Sequence, residues 1–127
     1  MKKLLFFALI LHLFSACNNN SSVDPSLDGT WKVSYYLDSG KDETSNFSGY
    51  TFDFQSNGTL IAKFSGQTVT GTWSENTSSN KLIINISGTD KLDDAADDWL
   101  IISKTATSIK LRDDNTSKDE QLHFTKL

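Results

Sequence analysis

The sequence is short of the residues that carry most cross-linking and catalytic chemistry. Its 127 residues include one cysteine, one proline and two histidines, and Arg112 is the only arginine. A lone cysteine cannot form an intramolecular disulfide or a cysteine-rich zinc site. The stability of the folded chain must therefore come from packing.

Catalytic groupings are equally scarce. His12 lies in the apolar segment that begins the chain, which leaves His123 as the one histidine in the rest. The sequence offers no Ser-His-Asp set, no glycine-rich phosphate loop and no His/Cys metal cluster. We therefore predict that the protein is not an enzyme, and the sequence implies no cofactor.

The first residues are those of an export signal. Lys2 and Lys3 precede an apolar run of eleven residues, Leu4 to Phe14, which only His12 interrupts and which Ser15-Ala16-Cys17 closes. A positive start, an apolar stretch and small residues in this order are typical of a secretory signal peptide. The run is too short for a transmembrane helix, which needs about 20 residues. We predict a signal peptide at residues 1–16.

A sole cysteine at the end of such a segment resembles the lipobox of bacterial lipoproteins. The resemblance implies cleavage before Cys17 and lipidation of Cys17 by a diacylglyceryl group and an N-acyl chain such as palmitate. Two or more acyl chains anchor a protein stably to a membrane. Asn18 stands where Asp would retain the protein in the inner membrane, which implies the outer membrane of a Gram-negative cell, with either face open. Residues 17–26 are then the lipidated cysteine and a polar tether.

The charge balance restricts the partners. Loss of Lys2 and Lys3 reduces the 12 basic residues to 10, against 16 acidic residues, for a net charge of −6. An acidic domain is held off anionic lipid and polysaccharide surfaces. Nucleic acid is not expected as a partner, since phosphate binding requires a basic patch.

Residues 27–127 alternate between apolar and polar side chains with the period of a β-strand. The alternation predicts eight short strands, centred on residues 31–36, 50–55, 60–64, 69–73, 82–86, 99–102, 109–111 and 122–124. Eight antiparallel strands in sequence order have exposed edges unless the sheet closes. We predict an all-β, eight-stranded antiparallel up-and-down barrel, with a two-sheet β-sandwich as the alternative.

Three segments depart from simple alternation. Ser39 to Phe47 is polar and long enough for a loop over one end of the barrel. Lys91 to Asp98 could form a single helical turn between two strands. Trp99 to Ile102 are consecutive apolar residues, which predicts a strand covered on both faces.

The segment Leu27-Asp28-Gly29-Thr30-Trp31 is similar to the Gly-x-Trp signature of lipocalins. Together with the second triplet, Gly71-Thr72-Trp73, it resembles the small lipocalin-like domains found as outer-membrane lipoproteins. The resemblance implies that Trp31 plugs the closed end of the barrel. It also implies a basic side chain stacked on this tryptophan, for which Arg112 is in roughly the right place. Alternation with Ile109 and Leu111 nevertheless directs Arg112 outward.

The function depends on the space inside the barrel, because eight strands enclose only enough room for side chains or one small ligand. Alternation directs aromatic side chains inward at Trp31, Tyr35, Tyr50, Phe52, Phe54, Phe64, Trp73 and Phe124. These rings could fill the interior, whereas Ala62 and Gly71 would leave room between them.

Two functions follow from these two outcomes. With a cavity, the chain would be a membrane-anchored lipocalin-like binding protein for a small apolar molecule, held by the inward aromatic residues and the hydroxyls of Tyr35 and Tyr50. With a filled interior, it would be a solid barrel that docks another envelope protein or a glycan. Ser39 to Phe47 and an exposed Tyr36 would then be the contacts.

Aspartates crowd two loops, at Asp93, Asp94, Asp97 and Asp98 and at Asp113 and Asp114. Calcium binds six to eight oxygen ligands from flexible loops. The spacing matches no EF-hand, and an acidic run is also typical of a solvated surface, so both interpretations of the segment Asp93 to Asp98 stay open.

Overall fold

The described residues, 25–127 of a computed structural model, form one antiparallel sheet that closes on itself. Its strands are β1 (Gly29–Asp38), β2 (Lys41–Asp42), β3 (Thr51–Phe54), β4 (Thr59–Phe64), β5 (Gln67–Asn76), β6 (Lys81–Asn85), β7 (Asp98–Lys104), β8 (Ser108–Asp113) and β9 (Gln121–Lys126). A 3₁₀ helix (Thr44–Phe47) precedes β3, and helix α1 (Asp90–Ala95) precedes β7. The predicted signal peptide, the lipidation of Cys17 and most of the tether fall outside the described residues.

Closure of the sheet comes from its first and last long strands. Neighbouring strands pair in sequence order, and β1 pairs in addition with β9, from Trp31 opposite Lys126 to Leu37 opposite Gln121. Eight strands thus form the barrel, and β2 is a short extension beside β1. The predicted up-and-down barrel is confirmed, and the sandwich alternative is wrong. Among residues 25–127, no helix is long and apolar enough to span a membrane.

The barrel has two different ends. The turns before β4, β6 and β8 meet at one end, together with residue 25 and Leu127, and we call this the Trp31 end. The opposite end, which we call the α1 end, collects the 3₁₀ helix, the β4–β5 turn, α1 and the β8–β9 loop. The core cluster lies within residues 27–124, so the barrel contains its own core.

The predicted helical turn is confirmed as α1. Its N-cap is Thr89, whose hydroxyl accepts a hydrogen bond from the Leu92 amide at 3.2 Å. Leu92 and Ala95 are buried against the barrel, and the Ala95 carbonyl accepts a bond of 2.9 Å from the Trp99 indole. The helix is therefore fastened to the start of β7 and covers the α1 end.

The segment Ser39 to Phe47 does lie over one end of the barrel, where hydrogen bonds and a buried side chain attach it to β1. The Tyr36 amide donates to the Thr44 hydroxyl at 2.9 Å, and the Tyr36 carbonyl accepts from the Glu43 amide at 2.9 Å. Phe47 is buried, with its ring 5.1 Å from that of Tyr36 in an edge-to-face arrangement. The expectation of a polar loop missed this apolar anchor.

A β-bulge in β1 reverses two of the predicted orientations. The pairing with β9 shifts between Val33 and Tyr35, so one extra residue stands in β1. An extra residue exchanges the two faces of the strand beyond it. Tyr36 is consequently buried, with 3% of its surface exposed, and Tyr35 lies on the outer face. The predictions of an inward Tyr35 and an exposed Tyr36 are both wrong.

A second bulge changes β7. Its pairing with β8 shifts between Ile101 and Ser103, and Ile102 is left 50% exposed. The prediction that Trp99 to Ile102 are covered on both faces therefore fails at Ile102. Beyond the bulge, Lys104 pairs with the fully buried Ile109 and so lies on the inner face of the strand.

Trp31 is fully buried and closes the end of the barrel that bears its name. Its indole donates to the Leu27 carbonyl at 2.8 Å, and the Lys126 ammonium lies 5.5 Å from its ring centre. The stacked cation is thus Lys126 and not Arg112, which lies on the outer face as alternation predicted. Gly29 makes room for it, because a β-carbon at Gly29 would stand 2.6 Å from Lys126 Cε.

We expect Gly29→Ala to destabilise the barrel more than Gly49→Ala. Both glycines have positive φ, at 127° and 80°, where a side chain costs about 1–3 kcal/mol. Only alanine at position 29 also displaces Lys126 from Trp31, which removes a cation–π contact of about 0.5–1 kcal/mol. Denaturant unfolding followed by tryptophan fluorescence measures the difference, and equal losses in the two variants would contradict the role given to Lys126.

Candidate functional site

Aromatic rings occupy the centre of the barrel. Phe52, Phe54 and Phe124 are fully buried, and the centre of the Phe124 ring lies 5.4 Å from that of Phe52 and 5.6 Å from that of Phe54. Both contacts are edge-to-face, an arrangement that aromatic pairs favour. The predicted inward orientation of these three residues is confirmed. Their rings pack against one another in the core of the barrel.

Two small residues, Ala62 and Gly71, lie among the larger side chains of the interior. Ala62 is fully buried between β3 and β5. A β-carbon at Gly71 would stand 2.8 Å from the Ile86 β-carbon and would also meet the Asn85 carbonyl oxygen. The space that Gly71 leaves is therefore taken by Ile86 and the neighbouring backbone, and the expectation of open room between the rings is wrong at this position.

Tyr50 and Phe64, the next predicted site residues, form a half-buried aromatic pair at the α1 end. Their rings are stacked, with centres 4.4 Å apart and an angle of 18° between planes. The Tyr50 hydroxyl lies 3.3 Å from that of Thr89, the N-cap of α1. Phe47 contacts the other side of Tyr50 at 5.8 Å. Solvent reaches part of this aromatic pair at the α1 end.

Trp73 lies toward the Trp31 end, on the inner face of β5. Its indole donates to the Gln55 carbonyl at 2.9 Å, and its ring meets Phe54 edge-on at 5.6 Å. Trp31 and Trp73 therefore belong to the same packed end, well away from Tyr50 and Phe64. Ring contacts through Phe52, Phe124 and Phe54 connect the two ends of the barrel.

Tyr35 joins His123 on the outside of the barrel. The two rings are 5.1 Å apart, and they face each other across the β1–β9 pair. Burial, and then the Lys110 charge, lowers the pKa of His123. His123 lies on the outer face of β9, between the buried Leu122 and Phe124, and Tyr35 shields it in part.

Three carboxylates meet at the α1 end, from three separate elements. Oxygens of Asp97, Asp113 and Glu120 lie within 4.8 Å of one another. Asp113 is buried; its carboxylate accepts the Asn115 amide at 2.7 Å and pairs with the Lys118 ammonium at 3.5 Å. Burial raises the pKa of Glu120, and the Asp113 charge adds to the rise. Of the aspartates considered for calcium, Asp97 and Asp113 belong to this group, whereas Asp93 and Asp94 belong to α1.

A hollow lies on the flank of the barrel between β5 and β7, beside the β5–β6 turn and therefore toward the Trp31 end. We call it the β5–β7 hollow. Its volume is about 300 Å³, at the lower limit for a small-molecule site. It is lined by Glu75, Asn76, Thr77, Asn80, Ile101, Ile102, Ser103 and Lys104.

An ion pair spans this hollow. Lys104 Nζ lies 2.6 Å from Oε1 and 2.9 Å from Oε2 of Glu75, and the two side chains are only 9% and 18% exposed. Glu75 pairs with the buried Leu82, and Lys104 with the buried Ile109, so both side chains belong to the inner face. Without the bulge at Ile102, Lys104 would face outward and the pair could not form.

Asn80 completes the wall where the short strand β6 has not yet begun. It is a non-glycine residue with a φ of 56°, and its side-chain amide donates to the Ile101 carbonyl at 2.9 Å. Strained backbone and bulges are both frequent at functional sites. Sequence reasoning treated Glu75 to Asn80 as a polar loop and missed the hollow, whose one signal was the apolar Ile102 in a run too long for an alternating strand.

Comparison with known proteins supports the fold and goes no further. The chain matches no protein-family model, and no curated protein matches it. It is similar in structure to a DUF4847 family protein from Bacteroides vulgatus ATCC 8482, with a TM-score of 0.61 and 14% sequence identity. The similarity covers 79% of this chain and 93% of that one.

Substitution of Ala62 by phenylalanine tests whether the interior is full. Extra atoms in a well-packed core cost about 1–3 kcal/mol, and Ala62 is fully buried. We expect Ala62→Phe to lower the free energy of unfolding by that amount and Ala106→Phe, in the exposed β7–β8 turn, to leave it unchanged. Urea denaturation provides both values. An unaffected or stabilised Ala62→Phe would reveal a cavity that accepts the ring.

Substitution of Glu120 tests how the group of Asp97, Asp113 and Glu120 affects the stability of the fold as pH changes. Because the folded pKa of Glu120 is raised, folding takes up a proton between the unfolded and folded pKa, and stability falls as pH rises through that window. We expect Glu120→Gln to raise the melting temperature at pH 7, with the gain vanishing below the ordinary glutamate pKa.

Asp42→Asn is the control of opposite sign. Hydrogen bonds from the Thr44 hydroxyl and amide lower the pKa of Asp42, so loss of its charge should not raise the melting temperature at pH 7. A gain for Glu120→Gln that is equally large at pH 4 would show that the effect is not electrostatic.

Proposed function

We propose that this protein is a lipid-anchored module of the cell envelope whose solid barrel works through its outer surface, docking another envelope protein or a glycan. One observation carries the proposal: the interior of the barrel is occupied by its own side chains. An eight-stranded barrel has room for side chains or for one small ligand, and the fully buried rings of Phe52, Phe54 and Phe124 use that room. We therefore assign the function to the outer surface of the barrel.

The anchored arrangement follows from the sequence and the path of the chain together. Lipidation at Cys17 would attach the protein to the outer membrane through residues 17–26, and residue 25 lies at the Trp31 end. The α1 end would then point away from the bilayer. Twelve of the 16 acidic residues stand at that end, namely Asp38, Asp42, Glu43, Asp90, Asp93, Asp94, Asp97, Asp98, Asp113, Asp114, Asp119 and Glu120. An acidic pole of this kind would be repelled by anionic lipid, which favours the same orientation.

A second function keeps one specific observation in its favour. The stacked pair of Tyr50 and Phe64 is partly exposed beside α1, so a small apolar molecule could lie on it without entering the barrel. In this form the chain would be the carrier of a small apolar molecule that the lipocalin resemblance implies. The site would be a shallow surface and not an internal cavity.

Native mass spectrometry of residues 18–127, secreted without the anchor and purified gently, separates the two functions. We expect the bare polypeptide mass, unchanged after incubation with palmitate or phosphatidylglycerol, because an acyl chain would have to displace the buried rings of Phe52, Phe54 and Phe124. A co-purifying lipid released by organic solvent would contradict the function of docking a protein or a glycan. If Phe64→Ala then abolished that binding, the apolar carrier would replace it.

A further inference from the structure

We propose that the β5–β7 hollow is a binding site for one neutral sugar ring of a glycan. The inference rests on the proposed function, since it selects the glycan among the possible surface partners and says where it binds. The argument uses the charge of the hollow, the polar groups along its wall and its one exposed apolar side chain.

Two charged residues line the hollow, Glu75 and Lys104, and they form an ion pair with each other. Both carboxylate oxygens of Glu75 lie within 2.9 Å of Lys104 Nζ. A phosphate or carboxylate ligand would therefore have to compete with Glu75 for the ammonium group, and breaking a partly buried ion pair leaves a charge without its partner. A neutral ligand can instead hydrogen bond to the ion pair without breaking it, so the ion pair favours an uncharged ligand.

The wall of the hollow carries both donors and acceptors. The Asn76 side-chain carbonyl already accepts the Ser78 and Ser79 amides, and the Asn80 side-chain amide already donates to Ile101. Within residues 25–127, this leaves the side-chain NH₂ group of Asn76 available to donate and the side-chain carbonyl oxygen of Asn80 available to accept. A sugar hydroxyl both donates and accepts, so a polyhydroxylated ring can satisfy the two groups together.

Ile102 supplies the apolar contact that a sugar ring also requires. It is one of two large hydrophobic residues exposed in the described chain, and the β7 bulge places it at the rim of the hollow. The C–H face of a pyranose can cover such a side chain while its hydroxyls meet the asparagines. The volume of about 300 Å³ equals that of roughly ten water molecules at about 30 Å³ each, which is the scale of one ring.

The test is an NMR titration of the ¹⁵N-labelled chain from residue 18 to 127, which keeps the whole barrel. Glucose, galactose, mannose and N-acetylglucosamine are the probes, each taken into the millimolar range expected for a single ring, with glucuronate as the charged comparison. We expect saturable amide shifts confined to residues 75–80 and 101–104 with at least one neutral sugar. Glucuronate should bind no more tightly than glucose.

Two matched variants locate the site. Thr77→Trp places a large ring in the hollow and should weaken binding at least tenfold. Thr116→Trp makes the same change in the exposed β8–β9 loop, beside a separate hollow of about 120 Å³, and should leave binding unchanged. Tryptophan indole signals of Trp31 and Trp99 report that both variants remain folded.

The proposal is overturned if no neutral sugar gives saturable shifts at these residues, if the shifts map to another surface, or if the two variants weaken binding equally. None of these results would change what mass spectrometry shows about the filled barrel. The docking function would then need a different surface. Failure of the filled barrel itself would appear separately, as a co-purified lipid and as shifts at Phe52 and Phe124.

Discussion

The fold depends on how aromatic rings share the small space inside an eight-stranded barrel. Phe52, Phe54 and Phe124 meet edge to face along the axis, and every other part of the structure fits around them. Gly71 lacks a side chain because Ile86 and the backbone of Asn85 lie where its β-carbon would be. Phe47 and Leu92 are brought over the α1 end by short helices and complete the same core. A core packed in this way leaves few voids, so a volume change at any one of its residues affects its neighbours.

Two single-residue insertions into otherwise regular strands determine what that surface presents. The bulge in β1 turns Tyr36 into the core, where burial raises the pKa of its phenol with the Asp94 charge contributing, and moves Tyr35 out beside His123. The bulge in β7 exposes Ile102 and turns Lys104 toward Glu75. Each bulge breaks the ladder at one point and gives the strand beyond it a different outward face. The surface is thus more varied than eight regular strands would produce.

Most of the fold could be predicted from the sequence because strand alternation is a local signal. Trp31, Phe52, Phe54 and Phe124 were placed inside correctly, since the period of two is intact on each side of them. Tyr35 and Tyr36 were not, because a bulge leaves no mark in the hydrophobic pattern when both candidate residues are aromatic.

The β5–β7 hollow could not be predicted from the sequence for a different reason. Glu75 and Lys104 are 29 residues apart in the chain, and only the closed barrel, with its short β6 between them, brings them together. Lys126 on Trp31 was missed because the lipocalin resemblance directed attention to Arg112.

The pairing of β1 with β9 also sets the order in which the molecule can form. Trp31, near the start of the barrel, is enclosed by Lys126, near its end, so a chain that emerges from its N-terminus cannot shut the barrel until its last strand is free. Contacts of such long sequence separation make folding slow. Until β9 is available, the apolar faces of β3, β4 and β5 stay uncovered, and an open sheet edge is prone to wrong pairing. The pairing of β9 with β1 therefore determines how long the unfinished sheet stays open.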